Sequence, residues 1–251
     1  MTNAATDRTR SEVLRRGSVD LQQNLADIQE RIARACDRVG RDPASVTLVA
    51  VTKTFPLHLV QEAYDVGLRH FGENKPQELQ AKFEGLPGRQ AGGDATWHMI
   101  GHVQRNKAKD VVACADRVHA VDSLRLAKEL DRRAQAAGRT VPCMVQLNVS
   151  GESAKFGIEP VDAPVFMAEA MRFKNLLFDG FMSLASPTDD PETVRPEFRS
   201  LRETMERLRQ SDDRFSSLTN LSMGMSGDYE IAIEEGATHV RIGSALFGAR
   251  D

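Results

Sequence analysis

Eight short apolar segments recur along the chain, and amphipathic helical stretches separate them. Runs such as VTLVAVT (Val46–Thr52) suit strands that are buried on both faces, whereas Leu59, Val60, Ala63 and Tyr64 repeat at helical spacing. Strands that alternate with helices, with few hairpin signals, indicate parallel strands joined by crossovers. Eight such units predict a single α/β domain, a (β/α)₈ TIM barrel. An open doubly wound sheet is the alternative that periodicity leaves open.

The pattern also places the individual elements. A long amphipathic helix, roughly Val19–Val39, is predicted before the first strand, and residues 1–17 are predicted to be a flexible leader to a barrel domain of residues 18–251. The predicted strands are Val46–Thr52, Arg69–Gly72, Trp97–Gly101, Arg117–Val121, Cys143–Val149, a strand centred on Phe178–Leu184, Asn220–Met225 and His239–Ile242.

Composition narrows the class of protein. The chain has 251 residues, 41% of them hydrophobic, which suffices for a large core. Its formal net charge of −3 does not favour nucleic acid or an anionic membrane as partner. Three separated cysteines and no apolar run of about 20 residues predict neither a disulfide framework nor a membrane span. We therefore expect a cytoplasmic protein.

Candidate chemistry follows the strands, because functional residues of such barrels lie at the carboxyl ends of the strands. Lys53 follows the first strand; it either extends to water or is held for chemistry. Ser226 follows the seventh strand in the position of a helix cap, and Gly243 with Ser244 follows the eighth. Two such turns bind phosphate in many barrels, although ordinary capped turns look the same. A partly desolvated lysine forms Schiff bases, so this pair of features suits pyridoxal 5′-phosphate.

Longer motifs carry a family resemblance. The segments AVTKTFPLHLVQEAYDVGLRHFGENKPQEL, WHMIGHVQRNK, VQLNVSGESAKFGI, GFMSLAS and LSMGMSGDYEIAIEEGATHVRIGSALFGAR resemble the pyridoxal phosphate homeostasis proteins, also called the YggS or PROSC family. The resemblance extends from about Leu21 to Arg250. It implies a fold-type III barrel, similar to the N-terminal domain of bacterial alanine racemase.

The resemblance also implies roles for individual residues. Lys53 would carry the cofactor as a Schiff base, and Asn74 would lie beside it. The phosphate would be bound by Ser226, Gly243 and Ser244, and Arg241 would lie near the pyridine nitrogen or the phosphate. Lys155 would offer a second, weaker aldehyde site; a solvated loop lysine is the alternative.

Comparison with the racemases predicts little catalysis. Their second domain supplies a catalytic tyrosine, whereas this chain ends at Asp251, and neither Tyr64 nor Tyr229 takes that role. Leu57 and Leu184 stand where racemases have a phosphate-binding tyrosine and a ring-packing histidine. An arginine at the ring nitrogen would also disfavour its protonation and weaken carbanion chemistry.

The leading hypothesis is a monomeric carrier that binds pyridoxal phosphate, limits free aldehyde and delivers the cofactor to apoenzymes. A slow amino-acid racemase or lyase is the alternative, and a cofactor-free aldolase that uses Lys53 is a third hypothesis. His98 and His102 have the spacing of metal ligands on a helix, but Gly101 indicates a strand end. We therefore predict core or rim packing for both histidines and no metal site.

Overall fold

The computed structural model describes residues 20–86, 93–152, 156–188 and 190–248. Within these ranges eight parallel strands form a closed barrel in the order β1 to β8, and β1 pairs with β8 to complete it. This closure confirms the barrel and excludes the open sheet. The predicted leader and Lys155 lie outside the described residues.

The strand bounds follow the apolar runs. They are β1 Thr47–Val51, β2 His70–Glu73, β3 Thr96–Met99, β4 Arg117–Val121, β5 Val141–Gln146, β6 Leu176–Met182, β7 Asn220–Ser222 and β8 His239–Ile242. The helices are α1 Leu21–Asp37, α2 Leu57–Asp65, α3 Pro76–Gly85, α4 Ala108–Cys114, α5 Leu124–Ala136, α6 Ala163–Ala170, α7 Arg195–Ser211, α8 Tyr229–Glu234 and α9 Ser244–Phe247. No helix in the described ranges is long and apolar enough to cross a bilayer.

Several predicted strands extend too far, among them the third, fifth and seventh. The prediction placed the end of β7 at Met225, whereas the strand ends at Ser222. Gly224 has a φ of 90°, and the Met225 N–H donates to the Asp228 carboxylate, so the chain turns away from the ladder. The fifth strand likewise ends at Gln146 rather than Val149.

Helix α1 packs against the last part of the barrel. Its apolar stripe, which includes Leu25, Ile28 and Ile32, is buried. The Asn24 side-chain amide donates to the Leu246 carbonyl at 2.9 Å, which joins α1 to α9. The helix therefore supports the same end of the fold that carries Gly243 and Ser244.

The core has two parts of different chemistry. Between the barrel and its helices lies a large apolar cluster with the buried rings of Phe71, Trp97 and Phe178. A separate small cluster contains Ala120, Met144 and Met182, and buried polar side chains lie in the same strands. Polar groups in a core are costly unless they are paired, which directs attention to those side chains.

Candidate functional site

A cavity of ≈ 590 Å³ opens at the carboxyl ends of the strands. All six residues predicted for the site line it: Lys53, Asn74, Ser226, Arg241, Gly243 and Ser244. They come from the ends of β1, β2, β7 and β8 and from the segments after them. The barrel therefore brings together side chains that are up to 191 positions apart in the sequence, 53 to 244.

Lys53 lies beside the predicted phosphate turns rather than across the barrel mouth from β8. Its strand, β1, pairs directly with β8, with Val49 opposite Arg241 and Ala50 opposite Ile242. Lys53 is half-buried at the cavity wall, two residues beyond the end of β1. An amine and the turn after β8 are thus neighbours on one side of the cavity.

Ser226 contacts the turn after β8. Its hydroxyl accepts the backbone N–H groups of Gly243 and Ala245, each at 3.3 Å. The prediction that Ser226 caps the following helix is wrong, because Asp228 precedes α8 directly. Backbone N–H groups at the start of a helix, as here, are of the kind that bind phosphate oxygens in proteins.

Arg241 is a buried, positively charged side chain at the floor of the cavity. It is 3% exposed; its Nη1 donates to Ser222 Oγ at 2.7 Å and its Nη2 to the Ser183 carbonyl at 2.8 Å. Within the described residues no carboxylate lies at ion-pair distance from this guanidinium. Burial lowers the pKa of Arg241 to about 10, against a smaller opposing effect of Asp228, so the side chain stays charged at neutral pH.

A chain of hydrogen bonds between uncharged side chains continues from Ser222 into the barrel. Ser222 Oγ lies 2.8 Å from His119 Nδ1, His119 Nε2 lies 2.9 Å from His98 Nδ1, and His98 Nε2 lies 3.0 Å from His70 Nδ1. Burial holds the pKa values of His98 and His119 well below the usual range. These rings are therefore neutral and hydrogen-bonded, as core packing requires. In the described part of the chain no cluster of His, Cys, Asp and Glu could hold a metal ion.

His102 lies at the cavity rim, which agrees with one of the two predicted placements. Its Nδ1 is 2.7 Å from Asp122 Oδ2, and its ring stacks on Phe156 with centroids 4.0 Å apart. The pairing of His102 with Asp122 was not predicted from the sequence. Phe156 was missed, since it lies in a loop without periodicity.

The residues compared with the racemases have other contacts. The Tyr64 hydroxyl donates to Asp94 at 2.6 Å, and Tyr229 is buried beneath Arg31. Neither tyrosine lines the cavity. Leu184 does line it, whereas Leu57 begins α2 and is 38% exposed.

The fold and the cavity indicate a class of protein, a closed parallel barrel with a lysine and two turns rich in serine and glycine at the carboxyl ends of its strands. The family described as "Alanine racemase, N-terminal domain" matches residues 23–251. An alanine racemase of Clostridium difficile has the same fold, with a TM-score of 0.68 at 14% identity over 92% of this chain and 56% of its own.

More similar proteins narrow the class. Proteins named "Pyridoxal phosphate homeostasis protein" are 38% identical in Aquifex aeolicus and 41% identical in Pseudomonas aeruginosa. These matches cover 91% and 92% of this chain and 97% and 96% of those proteins. PipY of Synechococcus elongatus, solved with PLP bound, has a TM-score of 0.77 at 34% identity over 91% of this chain and 100% of its own. The chain therefore belongs to the pyridoxal phosphate homeostasis protein family.

Proposed function

We propose that this protein binds pyridoxal 5′-phosphate in the cavity, holds it on Lys53, and serves in cytoplasmic homeostasis and delivery of the cofactor with little or no catalysis. The single observation that carries the proposal is the meeting of Lys53, the Ser226–Gly243 contact and the uncompensated Arg241 in one cavity. The names of the relatives and the PLP-bound PipY support the same ligand.

The residues present fit this cofactor. Pyridoxal phosphate supplies an aldehyde that a lysine amine captures as a Schiff base. Lys53 lines the wall, and the N–H groups of Gly243 and Ala245 and the hydroxyl of Ser226 can donate to phosphate oxygens. Arg241 can only donate, so it presents a fixed positive charge to an acceptor atom on the ligand.

Uptake of the cofactor tests the proposal. Wild-type protein mixed with pyridoxal phosphate should develop a Schiff-base absorption band and retain one equivalent after gel filtration. Lys53→Ala should lose the band, whereas Lys128→Ala, which removes an exposed lysine of α5, should keep it. Delivery is then measured as the rate at which loaded protein reactivates a PLP-dependent apoenzyme. A wild-type protein that retains no cofactor would contradict the proposal.

One observation favours a second candidate function, a racemase or lyase of low activity. The imidazole of His102, oriented by Asp122 at the cavity rim, has the arrangement of a general base. The racemase comparison did not anticipate this base. His102 is 36% exposed and lies at the cavity entrance, whereas Arg241 lies at the cavity floor. Because these two groups are at opposite ends of the cavity, we favour the carrier function over a racemase or lyase.

Deuterium exchange at Cα distinguishes the two functions. Loaded protein incubated with alanine in heavy water should exchange far more slowly than about 1 s⁻¹, the low end for ordinary enzymes. The residual rate in His102→Gln should equal that of wild type if the protein is only a carrier. Exchange at ordinary enzymatic rates that His102→Gln abolishes would favour the enzyme.

A further inference from the structure

The short turn that carries Lys53 is closed by backbone hydrogen bonds. The Thr52 N–H extends the ladder to the Gly72 carbonyl at 3.1 Å, and the Phe55 N–H returns to the Thr52 carbonyl at 3.0 Å. Lys53 and Thr54 are therefore the two central residues of a four-residue turn. Their shared peptide group is the central peptide of that turn.

Thr54 has an unusual backbone conformation. Its φ of 68° is the only positive value at a non-glycine residue in the described ranges. A hydrogen-bonded turn with positive φ at its third position is of type II, where glycine or asparagine is usual. A β-branched residue is strained in this region and persists only when its surroundings fix it.

Helix α3 contacts the turn on both sides of Lys53. Glu78 Oε2 accepts the Thr54 N–H at 2.8 Å. Lys82 Nζ donates to the Thr52 carbonyl at 2.7 Å and to Glu73 Oε1 at 2.6 Å. Burial alone would raise the pKa of Glu78, but the Thr54 N–H and the positive charges of Lys82 and Lys75 together lower it. The acceptor is therefore an ionised carboxylate.

The direction of one peptide group separates two possible turns. Type I and type II turns differ mainly in the rotation of the central peptide, which reverses the N–H of the third residue and restores its φ to negative values. Glu78 can accept the Thr54 N–H only in the type II orientation that the structure has. Loss of this acceptor would let the peptide rotate, relieve the strain at Thr54 and release the backbone that anchors Lys53.

We propose that Glu78 is a positioning residue for Lys53: its carboxylate holds the Lys53–Thr54 peptide in the strained orientation, Lys82 fixes the preceding carbonyl, and the amine is thereby directed into the cavity. The contacts themselves do not depend on the identity of the ligand. The consequence for aldehyde capture rests on the proposed function.

Amide hydrogen exchange tests the contact in cofactor-free protein. Glu78→Ala should accelerate exchange of the Thr54 amide by about tenfold or more, because a hydrogen bond to a charged group is lost. Glu78→Gln keeps an acceptor oxygen and should restore most of the protection. Glu84→Ala is the matched control on α3, since Glu84 bonds to Gln80 and not to the turn. Equal exchange in wild type and Glu78→Ala would overturn the proposal.

Stopped-flow uptake of pyridoxal phosphate tests the consequence. Glu78→Ala should capture the cofactor about tenfold more slowly, and Thr54→Gly added to it should return the rate to near wild type, since glycine takes a positive φ without strain. A double variant that stays slow would overturn the positioning role. A wild-type protein without uptake would refute the proposed function, and the exchange measurement would still decide the contact.

Discussion

At the scale of single residues, the two sides of the predicted phosphate site should respond differently to substitution. Ser226→Ala removes one hydroxyl from the turn and should weaken pyridoxal phosphate binding by about 1.5–3 kcal/mol. Gly243→Val should weaken it more, because a branched side chain would fill the approach to the N–H groups of Gly243 and Ala245. Equilibrium titration of absorbance measures both effects.

Pyridoxal without its phosphate is the control for that prediction. If Ser226 and Gly243 act on the phosphate, both variants should bind pyridoxal as wild type does. Equal losses for both ligands would mean that the substitutions disturb the barrel, and unchanged affinity for pyridoxal phosphate would place its phosphate elsewhere.

A second prediction at this scale concerns buried histidine and acid stability. Burial, followed by the charges of Arg117 and Arg241 and by His70, lowers the pKa of His239 to about 3. The unfolded chain takes up a proton below about pH 6.5, whereas the folded protein does not until about pH 3. His239 therefore leaves the free energy of unfolding unchanged above pH 6.5. Below pH 6.5 it lowers that free energy by about 1.4 kcal/mol for each pH unit.

The variant His239→Gln isolates this effect. Urea unfolding at pH 7, 6, 5 and 4 gives the difference in unfolding free energy between wild type and variant. Below pH 6, the unfolding free energy of wild type should fall relative to that of the variant by about 1.4 kcal/mol per pH unit. A difference that is independent of pH would mean that folding does not lower the pKa of the His239 ring.

The sequence predicted which residues line the cavity but not how they are paired. Lys53, Asn74 and Arg241 stand at or just beyond strand ends, and a barrel brings strand ends together whatever the side chains are. The Ser222 contact of Arg241 and the His102–Asp122 pair connect different strands. Such pairings depend on strand stagger, which one sequence does not specify.

At the scale of elements, a close approach between the ends of β2 and β3 shapes one wall of the cavity. A Cβ atom on Gly101 would lie 2.4 Å from the Asn74 carbonyl oxygen and 2.7 Å from Asn74 Cα. Gly101→Ala should therefore push the two loops apart, displace Asn74 and weaken cofactor binding. Gly138→Ala is not a suitable control because its φ is positive.

A better control is Gly227→Ala, because a Cβ there would meet no atom within 4 Å. Both glycines line the cavity, so a difference between them reports the close backbone approach and not the mere presence of a methyl group. Gly101→Ala with wild-type affinity and wild-type stability would contradict this description of the wall.

Periodicity predicted the existence and order of the elements better than their ends. The prediction for α1, Val19–Val39, overruns the end of the helix by two residues, and the described helix begins after Asp20, which caps it by accepting the Gln23 N–H at 3.0 Å. The overrun of β7 has a similar cause, because the Asp228 carboxylate captures the Met225 N–H. Side-chain acceptors of this kind end elements without changing the apolar pattern.

At the scale of the whole molecule, the closed barrel places a lysine, an arginine and the turns after β7 and β8 in one cavity at the carboxyl ends of its strands. This arrangement suits a protein that holds a reactive aldehyde. A carrier needs a capturing amine and an anion site, whereas a racemase needs two bases and an electron sink in addition. The proposed monomeric state remains a prediction, as does supply to apoenzymes.

Borohydride reduction followed by peptide mapping tests the central claim most directly. Protein loaded with one equivalent of pyridoxal phosphate is reduced, digested and analysed by mass spectrometry. The label should lie on Lys53, in the peptide that contains AVTKTF, and Lys53→Ala protein should carry no stoichiometric label. A stoichiometric label on Lys155 or another lysine, with Lys53 unmodified, would contradict it.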